Sequence, residues 1–454
     1  MGVSENKMGV MPIHKLLLNI SIPMIMSMIV QAFYNVVDSI FVARLGEEAL
    51  TAVSLAFPVQ ALIIGMGVGT GVGVNALLSR SLGEKNADLV NKSALHGILL
   101  SWVTCAVFTV GGIFLSGMFF RTQTDIPRIV KYGDDYLYVI CVMSFAVFNQ
   151  IMLERLLIST GKTFYSMISQ MAGAVTNLIL DPIMIFGLLG FPRMEVTGAA
   201  LATVIGQAVG ASLAMFFNLR YNREITFKLK GFRPSASIIG RIYYVAMPSI
   251  LMSSLGSVMI YGLNLLLISF TATATAVFGV YFKLQSFVFM PIFGLNSGMV
   301  PIIAYNYGAR KRERIIETVK LSVMYAAGVM GAGTVVFNVF PRELLAMFNA
   351  TPEMIRLGVP ALRIISTHFF FAAFCIISLS VFQALGSGAE SLAVAVSRQW
   401  LLLMPIAWAL SKTGDVNMIW WTFPITEATT LVLCAFFMRR VFMKKIKTGE
   451  YQSG

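Results

Sequence analysis

Two aspartates lie inside stretches that are otherwise apolar enough to cross a membrane. Asp38 falls within residues 23–45, and Asp181 falls within the motif NLILDP at residues 177–182. A carboxylate in hydrocarbon costs about 3 kcal/mol on insertion scales, so it persists where it faces protein or a water-filled cavity. Such residues are typical of a cation or proton site, and the structural alternative is an aspartate held by neighbouring hydroxyl or backbone groups.

Helical spacing predicts that further polar groups join the two aspartates. Asn177 and Asp181 are four residues apart and therefore share one face of a helix. The spans of Asp38 and Asp181 both run outward, and Thr203 on the next span reaches the same depth. Two carboxylates, an amide and a hydroxyl suit a hard cation such as Na⁺, or a proton shared between the carboxylates. The residues alone do not decide between these two ions.

Pro23 lies on the same predicted helix as Asp38. Because proline frees a backbone carbonyl and allows bending, we expect a helix kink there. A kink that responds to Asp38 and a fixed kink are both open interpretations. Further polar residues in apolar spans are candidates for a substrate chamber, namely Gln31, Tyr34, Gln60, Asn264, Gln285 and Glu427. For Glu427, a substrate counter-ion and a structural role are weighed equally.

The composition is that of a membrane protein. Of the 454 residues, 57% are hydrophobic and 12% are charged, with a mean hydropathy of +0.79. Soluble domains carry about 25% charged residues. Apolar runs long enough to span a bilayer recur along the chain, and we predict an all-α protein with twelve transmembrane helices. Their approximate ranges are 12–43, 49–80, 94–119, 136–158, 164–190, 196–219, 238–270, 276–307, 315–341, 361–385, 391–411 and 416–440.

The net charge of +13 is explained by the way the chain is oriented in the membrane. If both termini are cytoplasmic, most of the 34 lysines and arginines fall in the tail and the loops on that side, which is the bias that orients membrane proteins. The sequence therefore predicts no nucleic-acid partner. It also predicts no enzyme activity and no cofactor, since it has no credible nucleophile–base set, zinc spacing or phosphate loop. The four cysteines lie in apolar spans and are interpreted as buried packing residues.

The chain repeats itself at an offset of 225 residues. This shift superimposes Pro23 on Pro248, Gly69 on Gly294 and Gly83 on Gly308, without a gap for about 140 residues. We therefore predict two pseudo-symmetric lobes of six helices, at residues 1–222 and 238–454, joined by a cytoplasmic linker at 223–237. Because each lobe spans an even number of times, the repeats are parallel, and a substrate would sit between them.

Six sequence stretches together resemble the multidrug and toxic compound extrusion (MATE) transporters, in particular the DinF-like branch and bacterial exporters of the MepA type. The stretches are FYNVVDSIFVARLG (33–46), LSRSLGEKN (78–86), NLILDP (177–182), GAALAT (198–203), MPIFGLNSGMVPIIAYNYGARKR (290–312) and VFQALGSG (381–388). The resemblance covers nearly the whole chain. It implies twelve helices around a V-shaped chamber, a cation or proton site at Asp38, Asn177, Asp181 and Thr203, and a kinking proline at Pro23.

The resemblance implies an antiporter that exports drug-like, cationic or amphipathic compounds in exchange for H⁺ or Na⁺. The second lobe lacks the coupling acids of the NorM-like branch, which favours coupling through the first lobe. We expect a monomer in the bacterial inner membrane, in contact with the lipid bilayer. The alternatives are a lipid-linked oligosaccharide flippase of the same superfamily, disfavoured because basic residues are scarce at membrane depth, and a channel or structural membrane protein.

Overall fold

The computed structural model describes residues 6–228, 231–348 and 350–447, apart from the side chains of Ser254 and Ser257. All regular elements in these ranges are helical, which confirms the all-α prediction. The first half of the chain forms α1 (Lys7–Val10), α2 (Ile13–Ala43), α3 (Glu47–Gly83), α4 (Ala87–Gln123), α5 (Pro127–Val142), α6 (Phe145–Ser159), α7 (Thr163–Phe186) and α8 (Glu195–Tyr221).

The second half repeats this order of long and broken helices. Its elements are α9 (Ala236–Ile268), α10 (Ala272–Gly308), α11 (Arg312–Val339), α12 (Pro341–Ala346), α13 (Pro352–Ser366), α14 (Phe369–Ala384), α15 (Gly388–Val396), α16 (Met404–Ser411), α17 (Val416–Trp420) and α18 (Thr422–Phe442). A π-helical segment, Ser397–Leu403, joins α15 to α16, and a second one, Met443–Lys447, follows α18.

Ten helical stretches in the described part of the chain are long and apolar enough to cross a membrane, and two bent pairs raise the number to twelve. The bent pairs are α5 with α6, at 46°, and α13 with α14, at 48°. We predicted these two spans to start near residues 136 and 361, but the helices begin nine residues earlier. Pro127 and Pro352 occupy the first helical turn, where the missing N–H of proline costs no hydrogen bond.

The two halves cross closely at one end of the bundle. At Gly83 there is no room for a Cβ against the carbonyl of Tyr305, and at Gly308 there is none against the carbonyl of Arg80. The two contacts are related by the 225-residue shift, since Arg80 corresponds to Tyr305 and Gly83 to Gly308. The glycines that match in sequence are thus places where backbone meets backbone, as small residues permit between membrane helices.

The same end of the bundle carries residues 6–11, 80–86 and 305–314, and we call it the basic end. Here the segment that precedes α2 contacts both halves. Asn6 donates to the carbonyl of Thr160 at 3.2 Å, whereas the carbonyl of Met8 accepts from Asn306 at 3.0 Å and from Arg314 at 3.1 Å. The amino-terminal segment therefore ties α6 and α7 to α10 and α11 at this end.

Candidate functional site

The structure brings Asp38 of α2 and Asp181 of α7 together in the interior of the first half. The two carboxyl groups are neighbours that interact with each other. Asp181 is fully buried, and Asp38 Oδ1 and Asp181 Oδ2 are both buried with no hydrogen-bond partner in the part of the chain that the structure describes. Among the described residues neither aspartate forms an ion pair. Two carboxyl groups at this separation require a proton or another cation between them, because like charges repel strongly in a low-dielectric interior.

Asn177 and Thr203 complete the predicted cluster. The amide nitrogen of Asn177 donates to Asp181 Oδ1 at 3.2 Å and to the hydroxyl of Thr203 on α8 at 3.3 Å. The side-chain oxygen of Asn177, Oδ1, is buried and has no hydrogen-bond partner among the described residues. The cluster thus presents unpartnered oxygens from two carboxyl groups and one amide, which is the donor chemistry of a small hard cation or a bound proton.

Two tyrosines border the cluster. Tyr34, one turn before Asp38 on α2, lies 3.5 Å from the hydroxyl of Thr203. Tyr136 on α5 lies near Asp38 and accepts a 2.6 Å hydrogen bond from Gln60 on α3. Tyr34 and Gln60 were predicted as chamber residues, whereas Tyr136 was not predicted. It is the first residue of the span predicted at 136–158, and the helix begins nine residues earlier, at Pro127, which places Tyr136 well inside α5.

The other predicted residues are spread over both halves. Gln31 accepts from Gln170 on α7 at 3.4 Å, while Asn264 on α9 and Gln285 on α10 are half-buried in the second half. Pro23 lies inside α2, which continues through it as one helix from Ile13 to Ala43. With a rise of about 1.5 Å per residue, Pro23 lies about 22 Å from Asp38 along the axis. Any coupling between them must therefore travel along four turns of α2.

Glu427 lies in a different environment. It is 3% exposed, on α18, and its Oε2 accepts a 2.8 Å hydrogen bond from Nε of Arg398. Arg398 belongs to the π-helical segment after α15, and the side chains of Tyr281 and His368 lie near the pair. The structure places Glu427 in a buried ion pair, as far as the described residues show, and does not bring it to the Asp38–Asp181 cluster.

Two further charged residues at membrane depth were missed from the sequence. Glu154 and Arg155 are neighbours on α6, whereas the sequence analysis considered basic residues scarce at this depth. Glu154 is 9% exposed and accepts from Gln150 at 3.0 Å. The stem of Arg155 packs against Gly71 of α3. The signal was present, because residues 154 and 155 lie four and three residues inside the end of the span predicted at 136–158, but they were treated as part of the following loop.

The fold and the buried acids define the class of protein, a multi-pass membrane transporter. The sequence profile of the MatE family matches residues 23–183 and again residues 248–409. Together these matches cover more than half of the chain, and the chain therefore belongs to the MATE family of transporters. The two matches begin at Pro23 and Pro248, which the 225-residue shift also superimposes.

Curated relatives match almost the whole chain. A multidrug export protein MepA from Staphylococcus haemolyticus is 26% identical over 94% of this chain and 93% of its own length. An FAD transporter from Shewanella oneidensis is also 26% identical, over 95% of each chain. The relatives are bacterial, so the membrane concerned is the plasma membrane. The prediction that both termini are cytoplasmic stays a prediction.

Solved structures share the fold. A multidrug-resistance MATE family transporter of the MOP superfamily, in an outward-facing conformation, superimposes with a TM-score of 0.92 at 23% identity and covers 99% of this chain and 100% of its own. A MOP superfamily transporter from Pyrococcus furiosus, described by a reverse polarity of its binding pocket, gives a TM-score of 0.91 at 23% identity over 99% and 100%. The predicted twelve-helix MATE fold is therefore confirmed.

Proposed function

We propose that this protein is a secondary active antiporter that exports drug-like, cationic or amphipathic compounds in exchange for H⁺ or Na⁺. One observation carries the proposal: within the described part of the chain, Asp38 and Asp181 adjoin with buried oxygens that no protein group satisfies, and no ion pair holds either of them. A site of this kind can bind a cation and release it again. The multidrug export proteins among the relatives support the substrate class.

In this proposal, coupling depends on whether the two carboxyl groups are neutralised by a bound cation. When the site holds its cation, the two carboxyl groups are neutralised and can remain adjacent. When the cation leaves, their repulsion favours a different arrangement of α2 and α7, the two helices that carry them. An antiporter needs such a difference between the two states, because an ion can shift a conformational equilibrium only through its differential affinity.

The test is transport of ethidium by the purified protein in liposomes, with proton and sodium gradients imposed separately. We expect one gradient to drive ethidium transport and Asp38→Asn to lower the driven rate about 100-fold while ethidium binding persists. An unchanged driven rate in Asp38→Asn would remove this residue from the coupling mechanism. If neither gradient drives ethidium transport by the wild-type protein, the proposed exchange is wrong.

A second candidate substrate is a flavin nucleotide, because one relative is an FAD transporter that matches 95% of this chain. Arg155 adds a basic side chain at membrane depth, which an anionic substrate would require. The same liposomes loaded with FAD distinguish the candidates. Gradient-dependent FAD efflux without ethidium transport would replace the cationic substrate class by an anionic one.

A further inference from the structure

Glu154 is a buried acid that the Asp38–Asp181 cluster does not use. It lies one turn from the basic end of α6, with 9% of its surface exposed. Its Oε1 accepts a 3.0 Å hydrogen bond from Nε2 of Gln150, which lies one turn further from that end on the same face. Burial of a carboxyl group at this depth costs free energy, which indicates that the group has a function.

Gln150 connects Glu154 to the cluster through a line of contacts between α6, α7 and α8. Its amide nitrogen fills the space left by two glycines: a Cβ would lie 2.6 Å from it on Gly210 and 3.5 Å from it on Gly173. One turn further, a Cβ on Gly206 would lie 3.1 Å from the Cβ of Asn177. Because Asn177 donates to Asp181, polar side chains separated only by glycines lead from Asp181 to Glu154.

Two hydroxyl groups continue this line toward the basic end. Ser166 and Thr163 lie three and four turns before Asn177 on the same face of α7. Both hydroxyl oxygens are buried and have no hydrogen-bond partner among residues 6–228, 231–348 and 350–447. Thr163 also lines a surface cavity of about 590 Å³, together with Asn6, Asn19 and Pro23. We call the line formed by Asp181, Asn177, Gln150, Glu154, Ser166 and Thr163 the polar seam.

The charges around Glu154 favour a proton over a metal cation. α7 carries no charged residue between Thr163 and Asp181, and α8 carries none between Glu195 and Arg220. The charged residue that acts on Glu154 is Arg155, the next residue in the chain. Its stem packs against Gly71 of α3, on another side of α6. Gln150 presents an N–H to Glu154, so the carboxyl has a donor where a sodium ion would need an oxygen ligand.

We propose that Glu154 is a second proton-carrying residue, which receives the coupling proton from the Asp38–Asp181 pair and releases it at the basic end. The proposal rests on the proposed antiport function with H⁺ as the coupling ion. The proton leaves the carboxyl group of Asp181, which becomes a carboxylate, and the carboxylate of Glu154 becomes a carboxylic acid. Gly173, which lies beside Gln150, is about 12 Å from Asp181 along α7, and Glu154 lies a further turn away on α6, so the transfer runs over water that enters the polar seam. Glu154 then loses the proton to solvent through the cavity at Thr163.

The experiment compares two modes of ethidium transport in the same liposomes. Net export driven by a proton gradient requires proton release, whereas exchange of internal for external ethidium without a gradient does not. For Glu154→Gln we expect the driven rate to fall about 100-fold and the exchange rate to stay within about twofold of wild type. Glu154→Asp keeps a protonatable group, and we expect it to retain driven export with an altered pH profile.

The matched control is Asp88→Asn, an exposed acid at the same end that pairs with Lys92 at 2.7 Å. It should leave both modes unchanged. Driven export that persists in Glu154→Gln, or an equal loss of both modes with no rescue by Glu154→Asp, would overturn the proposal while leaving the antiport function intact. Failure of a proton gradient to drive the wild-type protein would instead contradict proton coupling itself, and with it the role of Glu154.

Discussion

The two halves of this transporter treat buried acids in opposite ways. In the first half, Asp38 and Asp181 adjoin with unpartnered oxygens and, among the described residues, no ion pair. In the second half, Glu427 is held by Arg398 at 2.8 Å. A fixed guanidinium keeps its partner charged and satisfied, whereas an acid without one must take up a proton or cation to remain buried. This difference favours the proposed ion exchange in the first half and a structural ion pair in the second.

The second half has apolar residues at the positions that correspond to the two aspartates. Under the 225-residue shift Leu263 takes the place of Asp38, and Met404, with the slight change of register, answers Asp181. Leu263 is fully buried, and the thioether of Met404 packs against Gly262 of the same helix as Leu263. The space of the ion site in one half is therefore filled by hydrocarbon in the other.

The largest change in stability that tests this comparison of the two halves is expected for substitution of Arg398. Replacement by Met leaves Glu427 buried at 3% exposure without its cation, and removal of one partner of a buried pair destabilises by about 3–5 kcal/mol. We expect a strongly lowered thermal midpoint of unfolding in detergent, measured by intrinsic fluorescence.

The control is the double variant Arg398→Met with Glu427→Leu. Replacement of both partners by apolar groups of similar volume is often neutral or stabilising, so stability should return close to that of wild type. A single Arg398→Met variant as stable as wild type would show that the pair contributes little, and the contrast between the halves would then rest on the aspartates alone.

The parts of the site that could be predicted from the sequence are those that depend on local helix geometry. Asp181, Asn177 and Thr203 could be grouped because helix periodicity and the direction of each span fix their face and depth. Glu154 was missed although it lies in a predicted span, because a residue near the end of an apolar run is equally consistent with a loop.

Pairings across the fold were also beyond the sequence. The partnership of Arg398 and Glu427 depends on how α18 packs on the π-helical segment, and neither spacing nor hydropathy encodes that contact. Tyr136 joined the site because α5 bends by 46° against α6. The glycine matches predicted the internal repeat, but only the structure showed that Gly83 and Gly308 face the opposite half.

An effect of intermediate size is expected where the two halves touch symmetrically. In Gly83→Ala the added methyl group meets the backbone of Tyr305 and lies 2.8 Å from the backbone nitrogen of Ala309, neither of which can move alone. Overpacking of this kind costs about 1–3 kcal/mol. We expect a lowered thermal midpoint, with a similar decrease for Gly308→Ala because the two contacts are equivalent.

Gly328→Ala provides the control, since no atom lies within 4 Å of its Cβ position on α11. In an open helical position alanine is favoured over glycine by about 0.5–1 kcal/mol, so this variant should be slightly more stable. Equal responses of Gly83→Ala and Gly328→Ala would contradict a tight crossing of the halves at the basic end.

The smallest expected change in stability is at Asp181, where substitution should stabilise the protein, whereas substitution of Arg398 should destabilise it. Asp181 is fully buried, and its Oδ2 has no hydrogen-bond partner. Asparagine has nearly the same shape, retains an acceptor for Asn177 and can donate its own N–H to Asp38, so Asp181→Asn removes like-charge repulsion without opening a cavity. We expect a gain of about 1 kcal/mol or less, measured as a small rise in the thermal midpoint, together with loss of gradient-driven export. A residue that destabilises its own fold but is required for transport is one retained for ion exchange. A clear fall in the thermal midpoint would instead make Asp181 a structural residue, as Glu427 is in the other half.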